Sequence, residues 1–137
     1  MNIVIISLIL TIAGEVGIPP NFALAVALTE NSTLNPNALH LNANGTTDFG
    51  IMMLNSSWFN GDWQDPETNI RTACILIKNL YERSGDWWQV AIAYNCGHDG
   101  LMRGPPKMSI EYAFMVFQKW YELDHLLGSE KKLYGRG

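Results

Sequence analysis

Glu30 is the residue whose sequence surroundings best suit proton transfer. It follows Phe22–Thr29, a segment with no charge. A carboxylic acid donates a proton near neutral pH only where apolar surroundings keep it protonated. The competing interpretation is a charge that has reached the surface at a helix end, where the helix dipole disfavours it. These surroundings alone fit both interpretations. The other acidic residues look like solvated surface or helix caps: Glu67, Glu82, Asp86, Glu122 and Glu130.

The cysteine and histidine side chains lack the spacing of a metal site. Neither Cys74 nor Cys96 has a second cysteine or a close histidine at ligand spacing, and the three histidines stand far apart in the chain. We therefore expect no metal and no cofactor. A turn at Gly85 would place the two cysteines at the same level of an antiparallel helix pair. A disulfide and two buried free thiols are both compatible with that arrangement.

The elements that position these residues are predicted to be helices. Pro19-Pro20 is suited to open a helix, and the apolar run up to Glu30 indicates a central, buried one. Asp65-Pro66 predicts a second start, Asp86 a third and Ser109 a last, long helix. Two segments are predicted to be irregular: residues 31–50, as a loop or short hairpin, and the glycine- and proline-rich residues 97–106.

The apolar run Ile3–Ala13 has two interpretations. It is too short to span a bilayer and resembles the core of a signal peptide, but no Lys or Arg precedes it. We favour a buried first helix over a cleaved signal.

The bulk composition indicates one globular domain. The chain has 137 residues, 47% of them hydrophobic and 16% charged, which is ample for a core. The net charge of -4 comes with no basic block, so nucleic acid is not an expected partner. We predict an all-α domain over residues 1–127, with at most one small hairpin, followed by a polar, flexible tail over residues 128–137. We expect a monomer.

Five short blocks follow one another along the chain. They are Glu30-Asn31-Ser32 with Asn35-Pro36, Gly50-Ile51-Met52-Met53-Leu54-Asn55, Asp65-Pro66 with Asn69-Ile70, Ala93-Tyr94-Asn95-Cys96-Gly97, and Ser109 with Tyr112. Their content and order resemble the catalytic domain of the soluble lytic transglycosylases, particularly the small ones associated with secretion systems. Five ordered blocks are far more specific than one motif. The resemblance implies a lysozyme-like helical fold with a substrate cleft.

The resemblance also implies roles for individual residues. Glu30 would be the catalytic acid and later the base. Tyr94 and Asn95 would line the site, and Tyr112 would close it from the last helix. Met52 and the backbone around Gly50 would form the floor of the sugar groove. The remaining substrate-binding candidates are Ser32, Asp48, Met53 and Asn55.

Two departures from the family pattern concern the site. Asn31 stands where the family has a serine, with Ser32 as the other candidate for that polar role, and Asn35-Pro36 lies one residue further from Glu30. Met53 stands where the family has a glutamine. A thioether there would make the surroundings of the acid less polar but would lose hydrogen bonds to substrate.

The expected substrate is the glycan strand of peptidoglycan. A hydrolase needs a second carboxylate, for which Asp48 is the candidate, although a turn cap would also explain it. A lytic transglycosylase needs one carboxylate, because the C6 hydroxyl of N-acetylmuramic acid attacks. We favour the transglycosylase over a goose-type lysozyme-like hydrolase and over a wall-binding module without activity. The site of action would be the envelope, the periplasm or the exterior, with a secretion, phage-tail or lysis apparatus as a possible partner.

Overall fold

The computed structural model describes residues 2–130, without the side chains of residues 127–130. Five helices and three short strands follow in the order α1 (Ile3–Val16), α2 (Pro20–Glu30), β1 (Leu39–Leu41), β2 (Thr47–Phe49), β3 (Leu54–Asn55), α3 (Pro66–Ser84), α4 (Trp87–Arg103) and α5 (Lys107–Glu130). This mostly helical, lysozyme-like architecture confirms the predicted fold class. The predicted tail begins within α5 at Gly128, and its residues 131–137 lie outside the described residues.

The predicted helix starts at Asp65 and Asp86 are confirmed. Asp65 Oδ2 accepts a hydrogen bond from the Thr68 amide at 3.0 Å, and Pro66 occupies the first turn. Asp86 Oδ1 accepts from the Trp88 amide at 2.9 Å. Each carboxylate satisfies an amide that has no partner within its own helix, which fixes where α3 and α4 begin.

Helix α2 lies at the centre of the domain, as its uncharged sequence predicts. Every residue from Phe22 to Ala27 is buried, and the helix contacts both α1 and α5. The Phe22 ring lies 4.9 Å from the Trp87 ring and 5.0 Å from the Trp120 ring, centroid to centroid. These contacts tie α2 to α4 and α5, so Glu30 stands at the end of a firmly held element.

Residues 3–16 form the predicted first helix. Ile5, Ile9, Ile12 and Ala13 are buried against the core, where α1 packs on α2 and α3. Among the described residues, no helix has both the length and the apolarity needed to cross a membrane.

The small sheet extends the predicted hairpin by one strand. Strands β1 and β2 pair antiparallel with His40 opposite Asp48, and β3 adds to the other side of β2 with Asn55 opposite Asp48. β3 comes from the Gly50–Asn55 block, whose mixture of apolar residues does not alternate as a strand usually does. The sheet stands beside the C-terminal end of α2.

Two sequence predictions about the last third of the chain are wrong. Most of residues 97–106 is helical, because α4 breaks only at Gly97 (φ 80°, ψ 162°) and then continues to Arg103. Ser109 is not a cap, because α5 begins at Lys107 and the Pro106 carbonyl already accepts from the amides of Ser109 and Ile110. The Ser109 hydroxyl instead donates to Asn95 Oδ1 at 2.7 Å.

The two cysteines are free thiols. Cys74 is buried in α3, and burial raises the pKa of its thiol to about 12. Cys96 is partly exposed, on α4 just before the Gly97 break. The sequence left open a disulfide and two buried free thiols. The structure shows two free thiols, of which only that of Cys74 is fully buried.

Candidate active site

A cleft of about 870 Å³ opens between the sheet and the helices. One wall is formed by β2, β3 and the loop that joins β1 to β2. The opposite wall is formed by one side of α3 and by α4 around Gly97. Glu30, at the last residue of α2, lies in this cleft.

Glu30 has the electrostatic environment of a proton donor. Burial raises the pKa of its carboxyl from 4.5 to about 7, with a smaller contribution in the same direction from the negative charge of Asp48. Pairing with Tyr112 opposes this rise but does not cancel it. The carboxyl therefore keeps its proton to higher pH than an exposed glutamate does, which is the condition for general acid catalysis.

Tyr112 lies beside Glu30, on the core side of the cleft. Burial and then the charge of Glu30 raise the pKa of Tyr112 well above its usual value, so the hydroxyl stays protonated. No atom of the described side chains completes a hydrogen bond to that hydroxyl. The two groups are thus close enough to affect each other's pKa, although their geometry falls short of a full hydrogen bond.

Asp48 faces the cleft from β2. Its Oδ1 accepts a hydrogen bond from Asn55 Nδ2 at 2.8 Å, and the same amide reaches Thr46 Oγ1 at 3.1 Å. Since Asp48 and Asn55 are cross-strand partners, the sheet register itself holds this carboxylate in place.

The turn from Gly50 to Met53 is held from below by Asn69. Asn69 is fully buried on α3, its Oδ1 accepts from the Met52 amide at 2.8 Å, and its Nδ2 donates to the carbonyls of Phe49 (3.1 Å) and Trp63 (3.2 Å). Gly50 has a φ of 84°, which a side chain rarely adopts. Glycine is thus required here by geometry, because a Cβ atom would overlap the Asn69 amide.

Tyr94 fastens α4 to the same turn. Its hydroxyl donates to the Met52 carbonyl at 2.6 Å, and burial raises its pKa well above the usual value. Its ring borders the cleft. Tyr94 therefore positions the turn with its hydroxyl and presents its ring to the cleft.

Asn31 organises the loop after α2. Its Nδ2 donates to the Asn35 carbonyl at 2.9 Å, and its Oδ1 accepts from the Asn35 amide at 3.3 Å. Asn31 is buried, whereas Ser32 is exposed. Asn31, which stands at the family's serine position, thus holds the loop in place. In this loop the Asn35-Pro36 pair lies one residue further from Glu30 than in the family pattern.

The structure brings six of the ten predicted site residues to the cleft surface: Glu30, Asp48, Met53, Asn55, Tyr94 and Asn95. Gly50 and the fully buried Met52 lie beneath it and contribute through the backbone turn. Tyr112 lies behind Glu30, and Ser32 lies outside the cleft. In the described residues, no group of three or more His, Cys, Asp or Glu side chains is placed to hold a metal ion.

Several cleft residues were missed by the sequence analysis. Trp58 is 50% exposed at the cleft and is a flat surface suited to a sugar ring. Leu76, Asn79, Leu80 and Arg83 line it from α3. Positions 76, 79, 80 and 83 follow the i, i+3, i+4, i+7 pattern that marks one helix face. This signal was obscured because Leu80 also belongs to the row of buried residues by which α3 packs into the core.

Comparison with known families agrees with this geometry. The model of the transglycosylase SLT domain matches residues 7–105, which is most of the chain and runs from within α1, through α2 and the sheet, to just past the end of α4. No curated protein and no solved structure matches the chain. Transglycosylases of this kind act on the glycosidic bonds of peptidoglycan, in the cell wall. The chain therefore belongs to the transglycosylase SLT domain family.

Proposed function

We propose that the chain is a lytic transglycosylase that cleaves the MurNAc-β-1,4-GlcNAc bond and leaves 1,6-anhydroMurNAc ends. The observation that supports this most strongly is the state of Glu30. This carboxyl is partly buried at the end of an uncharged helix, faces a cleft large enough for a glycan, and has a pKa of about 7. A single group at that pKa can serve as acid and then as base.

In the proposed reaction Glu30 takes part in two proton transfers, giving up one proton and later accepting another. It first donates the proton to the glycosidic oxygen, and the bond from that oxygen to C1 of MurNAc breaks. The Glu30 carboxylate then accepts the proton of the MurNAc C6 hydroxyl while that oxygen bonds to C1. The anhydro ring closes and Glu30 ends protonated, ready for another turnover. No water is consumed, so no second carboxylate is needed.

The second candidate is a goose-type lysozyme-like hydrolase, and Asp48 is the observation that favours it. Asp48 faces the same cleft and is close enough to Glu30 to raise its pKa. We rank it second because the Asp48 carboxylate is already engaged by Asn55 across the sheet, which accounts for its presence.

Product analysis distinguishes the two reactions. Purified glycan strands digested by the chain are expected to give fragments that end in anhydro sugar, each lighter by one water than its hydrolytic counterpart in a mass spectrum, with no new reducing ends. Strands digested by a known hydrolase are the control. A new reducing end on every fragment would overturn the proposal.

The pH profile of an Asp48→Asn variant provides an independent check. Activity of the unchanged chain is expected to fall as pH rises through about 7, because Glu30 then loses its proton. Asparagine keeps the acceptor for Asn55 but removes the negative charge that raises the Glu30 pKa. The alkaline limb of kcat/KM should therefore move to lower pH, with kcat at low pH largely kept. A loss of about 10²-fold or more at every pH would instead identify Asp48 as a catalytic group.

The cellular setting follows from the substrate. Peptidoglycan places the site of action in the envelope or periplasm, or outside the cell. A monomeric state, and an association with a secretion, phage-tail or lysis apparatus, stay predictions.

A further inference from the structure

Arg83 introduces a positive charge into a cleft whose catalytic side is acidic. It stands in the last turn of α3, on the helix face that also presents Leu76, Asn79 and Leu80 to the cleft. The two carboxylates of the cleft, Glu30 and Asp48, belong to other elements, α2 and β2. The cleft is thus lined both by the carboxyl groups of Glu30 and Asp48 and by the guanidinium-bearing Arg83, which stands on a different element.

The Arg83 guanidinium is not used within the fold. Among the side chains of residues 2–126, the arginine and lysine ion pairs are those of Arg71 and Lys107, and Arg83 forms none. It donates no hydrogen bond to the backbone either, in contrast to Lys78, whose ammonium group reaches the Val16 carbonyl at 3.0 Å. Arg83 is exposed and lines the cleft, so its five donors are open to a bound ligand.

A guanidinium of this kind discriminates by charge. Its planar fork matches a carboxylate in a two-bond arrangement, whereas a neutral sugar hydroxyl gains much less from it. Asn79, one turn earlier on the same face, adds an amide that can donate to the same group. N-acetylmuramic acid differs from N-acetylglucosamine in carrying a lactyl carboxyl, which either is free or is joined to a peptide that has carboxylates of its own.

We propose that Arg83, with Asn79, forms a subsite for a carboxylate carried by a muramyl residue of the glycan strand. The inference rests on the proposed function for its substrate class and deepens it. Glu30 would cleave the sugar bond, while Arg83 and Asn79 would select strands by the charge of their substituents. The carboxylate has two sources, the stem peptide or the lactyl group of a strand without peptides.

Binding measurements test the subsite separately from catalysis. Each variant is made in the Glu30→Gln background and titrated, by calorimetry, with three soluble strand preparations. These are strands with stem peptides, strands stripped of peptides, which expose the lactyl carboxylate, and stripped strands whose carboxyls have been converted to amides. Arg83→Gln is expected to weaken binding roughly three- to tenfold for one or both of the charged preparations and to leave the amidated strands unchanged. Whichever charged preparation is affected identifies the source of the carboxylate.

Arg103→Gln is the matched control. Arg103 also stands in the last turn of a helix, α4, but does not line the cleft. The substitution removes one positive charge from the last turn of a helix, as Arg83→Gln does, and it should leave all three affinities unchanged. Arg83→Lys, which keeps the charge without the fork, should fall between Arg83→Gln and the unchanged residue.

The outcomes separate this inference from the proposed function. Equal weakening for charged and amidated strands, or no weakening for any, would overturn the subsite whether or not the chain cleaves glycans. If Arg83→Gln weakened binding only for the charged strands, and the unsubstituted chain cleaved no strand, the subsite would be supported and the proposed reaction contradicted.

Discussion

Replacing Glu30 by Gln is expected to lower kcat/KM on peptidoglycan by about 10³-fold. Glutamine has nearly the same shape and fits the same space, but it cannot donate a proton to the glycosidic oxygen or accept one from the attacking hydroxyl. Asp48, the other carboxyl that lines the described cleft, already accepts a hydrogen bond from Asn55. The measurement is the initial rate of turbidity loss of purified cell walls, with release of soluble fragments as a second readout.

Stability provides the control for this variant. The folded-state pKa of Glu30 is raised from 4.5 to about 7, so the folded chain holds a proton there that the unfolded chain releases. The contribution of Glu30 to stability is therefore fully present below pH 4.5 and is lost as pH rises through 7. Glu30→Gln removes this loss, so the variant should match the unchanged chain at pH 4 and exceed it at pH 8, by on the order of 1–3 kcal/mol. A stable variant that still lyses walls at the original rate would show that Glu30 is not the acid.

Gly50→Ala is expected to reduce the free energy of unfolding by about 3–5 kcal/mol. The residue would have to adopt a φ of 84°, and its Cβ atom would lie 2.7 Å from the Trp63 carbonyl oxygen and overlap the Asn69 amide. Asn69 cannot move aside without giving up its hydrogen bonds to Phe49, Met52 and Trp63. Because this turn positions Met53 at the cleft, activity should fall together with stability. Urea denaturation monitored by tryptophan fluorescence measures the change.

Gly45→Ala separates backbone strain from the steric clash. Gly45 has nearly the same backbone angle, with a φ of 87°, but a Cβ atom there would meet nothing within 4 Å. Its cost should be limited to the strain of the left-handed conformation, about 1 kcal/mol. If both alanine variants were destabilised equally, the contact between Gly50 and Asn69 would not be what requires the glycine.

The parts of the fold that could be predicted are those fixed by local chemistry. Asp65 and Asp86 cap helices through their own side chains, and the uncharged segment before Glu30 can only be accommodated in a core. The continuation of α4 to Arg103 could not be predicted in the same way. Gly97 breaks the helix at one residue, and the sequence does not show that the chain re-enters a helix directly after it.

The parts of the site that could not be predicted depend on tertiary contacts. The family resemblance indicated Tyr94 and Tyr112 but not their different situations, in which one hydroxyl is bonded to the Met52 carbonyl and the other is left beside Glu30. Arg83 gave no signal, because an arginine at a helix end is ordinary on a surface. Only the packing of α3 against the other elements turns that surface into a cleft wall.

The elements around the cleft are also expected to differ in how readily they unfold locally, and Glu30 lies on one of the most firmly packed of them, α2. Buried segments with many tertiary contacts exchange their amide hydrogens only when the whole domain unfolds, whereas thin, solvated elements open locally at low cost. Helix α2 is of the first kind, and β1, with all three of its residues exposed, is of the second. We therefore expect the acid to lie in the last region to open and β1, an exposed strand of the small sheet, in one of the first. Sequence changes in the loop that joins β1 to β2, which lines the cleft, can alter which glycan is accepted while the proton donor keeps its surroundings.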